Sequence, residues 1–279
     1  MSMRQRTALV RWRMDAIRRY DYFSYSGCHD RRAHLGQIGP ERVGHEMPGD
    51  GTRDSNGAHI PANKPVAAPE AVDLETKVEP SQDRARNTFE TILTVTGDLL
   101  GEVGFERLST NMICKRAGIS PPALYRYFPN KYAILRELGR RLMDAQDEAV
   151  FEWIREGGVQ QSTFEDLLES CLLIQSRVND ITRTFPGGAW ILRVMRVIPV
   201  LREVRVESRQ TVADSIRSAA QKAFPGIPEA RLTTVTKLTT EMMYAATEMA
   251  IEEPDLEEEI TREACIMVAS YYTRLTGIE

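Results

Sequence analysis

Histidine is scarce in this 279-residue chain: all four (His29, His34, His45, His59) lie in the first 60 residues. From residue 81 onward no imidazole is present to act as general base or metal ligand, which excludes serine-histidine and cysteine-histidine hydrolysis in the main body. Cysteine is equally sparse. Cys28, Cys114, Cys171 and Cys265 stand far apart with no C-x-x-C pair, so neither a zinc ribbon nor a thioredoxin-like redox motif can be built. Isolated thiols in amphipathic segments pack as small hydrophobes, and a reducing, cytoplasmic compartment suits them. Long apolar runs are missing too. The stretch Thr184–Leu192 is free of charge but carries Pro186, Gly187 and Gly188, far short of the ~20 apolar residues of a membrane helix. No segment alternates apolar and polar residues for more than a few positions, so no sheet is expected.

What is present is charge, unevenly placed. Residues 1–80 carry 12 basic and 11 acidic side chains, residues 81–141 carry 10 and 6, and residues 142–279 carry 14 and 23. Between Lys115 and Arg141 seven cations face one acid, Glu137. An acidic remainder repels nucleic acid, so any phosphate contact has to come from this basic stretch. The acidic run from Glu252 to Glu259 lacks the spaced ligands and turn glycine of a calcium loop and reads as solvated helix ends, so no metal or other cofactor is expected.

Residues 1–80 show no hydrophobic period and become rich in Gly, Pro, Asn and Asp after Gly36, which predicts a disordered N-terminal extension. Its first 25 residues hold six arginines and five aromatics, the composition of a basic arm, a transit peptide or an extension without function; Met47 is an alternative start. From Ser81 the period is helical to the end. Helices are predicted over about 82–101, 109–116, 120–128, 130–156, 162–184, 189–197, 199–223, 228–252 and 255–275, separated by Gly, Pro and capping residues.

The informative stretch runs from Gly104 to Lys131. Ser109 is placed to cap a short helix that Gly118 ends in a left-handed turn, and Ser120 caps a second one with Pro121 at its first position. Leu124 and Phe128 should face the core, while Ala123, Arg126 and Tyr127 turn outward. Two short helices joined by a glycine turn, the second showing aromatics and a cation, fit a major groove.

These residues, above all Ala117-Gly118-Ile119-Ser120 and Leu124-Tyr125-Arg126-Tyr127-Phe128-Pro129-Asn130-Lys131, resemble the DNA-binding domain of the TetR family of transcriptional regulators, over about residues 84–135. The resemblance implies an all-α chain: an N-terminal three-helix helix-turn-helix domain at 81–131, then an all-helical ligand-binding and dimerisation domain at 132–279. Ser109, Thr110 and Asn111 would reach phosphates, Tyr125 and Lys131 would clamp the backbone with Arg126 beside them, and Pro121, Pro122, Ala123 and Tyr127 would meet base edges. Pro122 departs from the family pattern by lacking an N–H, and Cys114 stands where Ala is usual. The implied function is a regulator without enzymatic activity, a repressor that binds a palindromic double-stranded DNA operator as a homodimer and is released by a small apolar effector.

A pocket is expected between residues 140 and 200, with Trp153, Phe164, Leu168, Cys171, Gln175, Phe185, Trp190 and Met195 as candidate walls. Apolar stripes through Leu232, Val235, Leu238, Met242, Ala246 and Met249 and through Ile260, Ala264, Met267, Tyr271 and Leu275, broadened by Met243, Ala250, Val268 and Tyr272, are wider than one partner needs, which assigns homodimerisation to the last two helices. A reading from another class is an all-helical carrier or enzyme that keeps the helix-turn-helix as scaffold.

Overall fold

The computed structural model describes residues 73–77 and 83–277. The basic arm, the four histidines, Cys28 and the alternative start all lie outside the described residues. Among the described residues nine α-helices follow one another: α1 (Asp83–Arg107), α2 (Thr110–Ala117), α3 (Pro121–Tyr125), α4 (Lys131–Arg155), α5 (Phe164–Thr184), α6 (Gly188–Val197), α7 (Arg202–Ala223), α8 (Glu229–Glu252) and α9 (Glu257–Thr276), with single 3-10 turns at Pro199–Leu201 and Pro254–Leu256. No strand occurs among the described residues.

The helix starts follow local chemistry. The side chains of Ser109, Asn130 and Thr163 accept the N–H of Met112, Ala133 and Asp166, meeting donors that a first turn otherwise leaves unpaired. Helix α4 is the axis of the molecule. It runs 25 residues without proline, about 37 Å at ~1.5 Å per residue, and packs on α1, α5, α6 and α7. Its buried face, Ile134, Leu135, Leu138, Leu142 and Met143, belongs to a core that begins at Phe89 and Phe128 in the head and continues through Ile191, Met195 and Leu201 to Tyr244 in the body. The core therefore does not stop at residue 131, where the domain boundary was drawn from sequence. Two smaller clusters fill the body: Leu167, Cys171, Val235, Cys265 and Tyr272 between α5, α8 and α9, and Val159, Ala220 and Leu232 at the far end.

Head and body meet through glycine. A Cβ on Gly97 of α1 would lie 2.5 Å from the carbonyl oxygen of Pro186, and one on Gly187 would lie 2.5 Å from the carbonyl oxygen of Gly97. Only two residues without side chains let α1 and the α5–α6 turn come this close. Alongside, the Trp190 ring comes within 3.3 Å of where a Gly104 Cβ would stand, and Met195 Sδ within 2.7 Å of the corresponding point on Gly139.

The start of the head differs from expectation in one respect. Residues 73–77, read as part of a disordered extension, lie against the head: Asn130 donates to the Asp73 carbonyl (2.8 Å) and Lys77 N–H to the Tyr127 carbonyl (2.9 Å).

Candidate nucleic-acid interface and body cavity

In the head, α2 ends at Gly118, whose φ of 65° is the left-handed conformation that ends a helix without Cβ strain. The chain turns through Ile119 and enters α3 at Ser120. Pro121 and Pro122 occupy the first two positions of α3 and have no N–H to offer, and the Ala123 N–H is already bonded to the Ser120 carbonyl (3.0 Å). This helix end therefore presents apolar ring surface rather than a cluster of donors to phosphate. Pro121, Pro122, Asn111, Tyr125 and Arg126 are exposed and Ala123 is half-buried. Thr110 and Tyr125, assigned separately to phosphate from sequence, are joined by a 3.1 Å hydrogen bond between their hydroxyls. That bond fixes the exposed Tyr125 ring across α2 and α3. Ser109 is half-buried and spends its hydroxyl on the cap of α2.

Tyr127 is a correction. It was expected to face outward, yet it is 5% exposed and sits edge-to-face on Phe89, 5.9 Å between ring centres. The reason is that α3 ends at Tyr125: the N–H groups of Tyr127 and Phe128 both turn back to the Leu124 carbonyl, which swings Tyr127 under the head. Lys131 is also less free than expected. Its ammonium donates to the carbonyls of Phe105 (3.3 Å) and Leu108 (3.1 Å) and lies 4.3 Å from the centre of the Phe105 ring. Of the seven cations in this stretch, Arg116 is held by Glu102, Arg141 by Glu90 and Glu137, and Arg140 by Glu137 and Asp144. Among the described residues, Lys115, Arg126 and Arg136 form no ion pair.

The body holds a cavity of about 110 Å³, well above the ~10–15 Å³ that one water needs. It lies among α4, α5, α7, α8 and α9, with Val150, Ile174, Val178, Val212, Ile216, Phe224, Met243 and Val268 as its main apolar walls. Three expected residues line it: Trp153, Cys171 and Gln175. The others do not. Phe164 and Leu168 pack on the α5–α8–α9 cluster, and Phe185, Trp190 and Met195 belong to the core where α6 meets the head. Aromatic and Met residues at helical spacing look alike in sequence whether they wall a cavity or fill a joint. The walls from α8 and α9 were missed because their stripes are assigned to association, and that from α7 because it lies beyond the 140–200 stretch.

Burial shifts titratable groups beside the cavity, Cys171 and Asp147 among them. The Cys171 thiol is pushed up to about 12, so it stays protonated and inert. Asp147 of α4 is buried and lifted to about 6 by desolvation, although Ser208 (2.8 Å) and Tyr244 (3.1 Å) donate to its Oδ1 and oppose the rise. The native state then holds this proton more tightly than the unfolded chain. The stabilising contribution is complete below about pH 4 and disappears as pH climbs through 6, a loss of ~2–3 kcal/mol by linkage. Asp147→Asn keeps the acceptor oxygen and removes the charge. Its stability advantage over the wild type, measured by denaturant titration, should therefore grow from pH 4.5 to pH 8; a constant difference would refute the assignment.

A capped and glycine-turned helix pair with an exposed aromatic and cation, set on an all-helical body with an apolar cavity, has the geometry of a helix-turn-helix head. Residues 92–138 match the model of the bacterial regulatory proteins of the tetR family. The matched segment holds the helix-turn-helix and the first turns of α4, so this part of the chain is similar to the DNA-binding domain of that family. It is 24% identical over 194 residues to the HTH-type transcriptional regulator UidR of Escherichia coli K12, covering 67% of this chain and 89% of that protein. It is 27% identical over 121 residues to the nucleoid occlusion factor SlmA of Haemophilus influenzae, covering 42% of this chain and 56% of that protein, so the match spans about half of the latter's length. Over 53 residues it is 40% identical to the class A tetracycline repressor protein from transposon 1721 of Escherichia coli, covering 19% of this chain and 24% of that protein. A TetR-family transcriptional regulator from Streptomyces coelicolor superposes with a TM-score of 0.48 at 24% identity, covering 67% of this chain and 99% of that one. None of the helices among the described residues is long and apolar enough to cross a membrane.

Proposed function

We propose that this chain is a cytoplasmic, non-enzymatic repressor that binds a two-fold symmetric DNA operator as a homodimer and leaves it when a small, mainly apolar molecule enters the body cavity. The observation that carries this reading is the exposed face of α3. There Pro121, Pro122 and Ala123 present an apolar edge suited to thymine methyls, and the Tyr125 hydroxyl, locked to Thr110, stands beside Arg126 at phosphate height. Base readout rests on the proline edge rather than on Tyr127. Backbone binding rests on Tyr125, Arg126 and Lys115 more than on Lys131, whose ammonium already has two carbonyls.

Dimerisation is assigned to α8 and α9 because each keeps an apolar stripe in solvent after the fold has closed. Leu238 is 65% exposed and Met249 48% on α8, Met267 53% and Tyr271 45% on α9. Residues 238, 242, 245 and 249 follow the spacing of one helix face, as do 260, 267 and 271, so two copies can form a four-helix bundle. A dyad then sets two α3 helices over inverted half-sites.

The experiment is a footprint and affinity titration on DNA upstream of the chain's own gene. A symmetric footprint is expected, with affinity falling steeply with salt. Arg126→Ala should weaken all sites alike and reduce the salt slope by about one unit. Leu238→Glu combined with Met267→Glu should give a monomer in sedimentation and cost at least ~tenfold in operator affinity, ~1.4 kcal/mol. A footprint without inverted symmetry, or salt-independent binding, would refute the proposal.

A further inference from the structure

Helix α8 contains six threonines, Thr233, Thr234, Thr236, Thr239, Thr240 and Thr247. Five of them donate their hydroxyl to the carbonyl four residues earlier, as a helical threonine with no other partner does. Thr240 does not. Its Oγ1 is buried and has no hydrogen-bond partner, and Thr240 is one of the residues that line the cavity. Several neighbouring polar groups of the wall are engaged internally, although the Tyr272 hydroxyl has only Thr239 at 3.5 Å. Gln175 donates to Thr247 Oγ1 (2.7 Å) and the Met243 carbonyl (3.2 Å), Thr276 to the Tyr272 carbonyl (2.7 Å), Tyr244 to Asp147, and the Trp153 indole to Ser170 (2.7 Å). An orphaned hydroxyl in a buried wall costs free energy unless a guest pairs with it.

The lining contains no Asp, Glu, Lys, Arg or His. An ionic guest would lose its hydration with no opposite charge to meet it. Asp147 is not part of the lining, and its Oδ1 already accepts from Ser208 and from the hydroxyl of the lining residue Tyr244.

We propose that the cavity selects a neutral, mainly apolar molecule carrying a hydroxyl or carbonyl oxygen that pairs with Thr240, and rejects organic acids and amines of the same shape. This deepens, and rests on, the reading of the cavity as the effector site. The thiol of Cys171, held protonated by burial, leaves the recognition non-covalent.

The test uses four probes of one shape: 1-naphthol, naphthalene, 1-naphthoate and 1-naphthylmethylammonium. Each is titrated calorimetrically at pH 7 into the full chain and into Thr240→Val, and operator affinity is measured in parallel. Naphthol should bind, with naphthoate and the ammonium at least ~hundredfold weaker. In Thr240→Val naphthol should lose about three- to tenfold, the net worth of one hydrogen bond, while naphthalene is unchanged or improved; retained naphthalene binding also shows that the variant folds. An ionic probe within tenfold of naphthol, or equal naphthol binding by both proteins, would overturn the inference while leaving an effector site in place. Binding of none of the four would overturn both readings. Selective naphthol binding with no change in operator affinity would support the ligand class and remove the effector role.

Discussion

Phe128→Ala is expected to lower the melting temperature of head and body together, in one transition, and to abolish specific operator binding. Phe128 is fully buried and stacks on Phe89 with ring centres 4.8 Å apart. Truncating such a ring removes its transfer energy and leaves a void, together worth ~3–5 kcal/mol. The argument for a single transition is the unbroken core from Phe89 to Tyr244. With that core shared through α4 and α6, the head has no separate interior that could melt first. Calorimetry on wild type and variant checks it. A low-temperature transition in the variant, with the body's own melting unchanged, would show that the head folds as an independent unit.

The second large effect is expected at the joint. Gly97→Ala places a methyl 2.5 Å from the Pro186 carbonyl oxygen and 2.8 Å from its carbonyl carbon. Backbone atoms cannot rotate away as a flexible side chain can, so α1 and the α5–α6 turn must part, at ~1–3 kcal/mol. The same separation should weaken what the joint transmits. If the effector lowers operator affinity through this contact, the coupling, of order 1–3 kcal/mol and roughly 5- to 150-fold in families of switches, should shrink by at least about fivefold in the variant. The two intrinsic affinities, for effector and for operator, should move less. Gly101→Ala is the control in the same helix: nothing lies within 4 Å of its added methyl, so it should be neutral or stabilising by up to ~1 kcal/mol. Equal coupling in wild type and Gly97→Ala would place transmission elsewhere, with α4 as the remaining connection.

Much of this molecule was legible because it is set within a few residues of chain. Ser109, Gly118 and Asn130 act at the helix ends where their chemistry predicts, since a cap needs only a side-chain oxygen and an N–H three residues on, whereas the Ser120 side chain makes no cap bond and α5 is capped by Thr163. The helix-turn-helix followed for the same reason, and so did the continuous α4. Facing was harder to read. Tyr127 has the spacing of an exposed residue if α3 runs on to Phe128; it is buried because α3 stops one turn in, a choice made when the segment docks on Phe89. Phe185, Trp190 and Met195 have the composition of a pocket wall and belong instead to the joint, where Gly104 admits Trp190 and Gly139 admits Met195.

The cavity shows the division most plainly. By itself the sequence determined that the body is helical, that it has more apolar surface than one core uses, and that no imidazole is at hand for catalysis. Periodicity names the apolar side of a helix but not the neighbour it meets, because dispersion and burial are indifferent to the identity of the apolar partner. Only the packing of α7, α8 and α9 against α4 and α5 decided which stripe of α8 lines a cavity and which is left to solvent, and only that packing left the hydroxyl of Thr240 buried and unpaired.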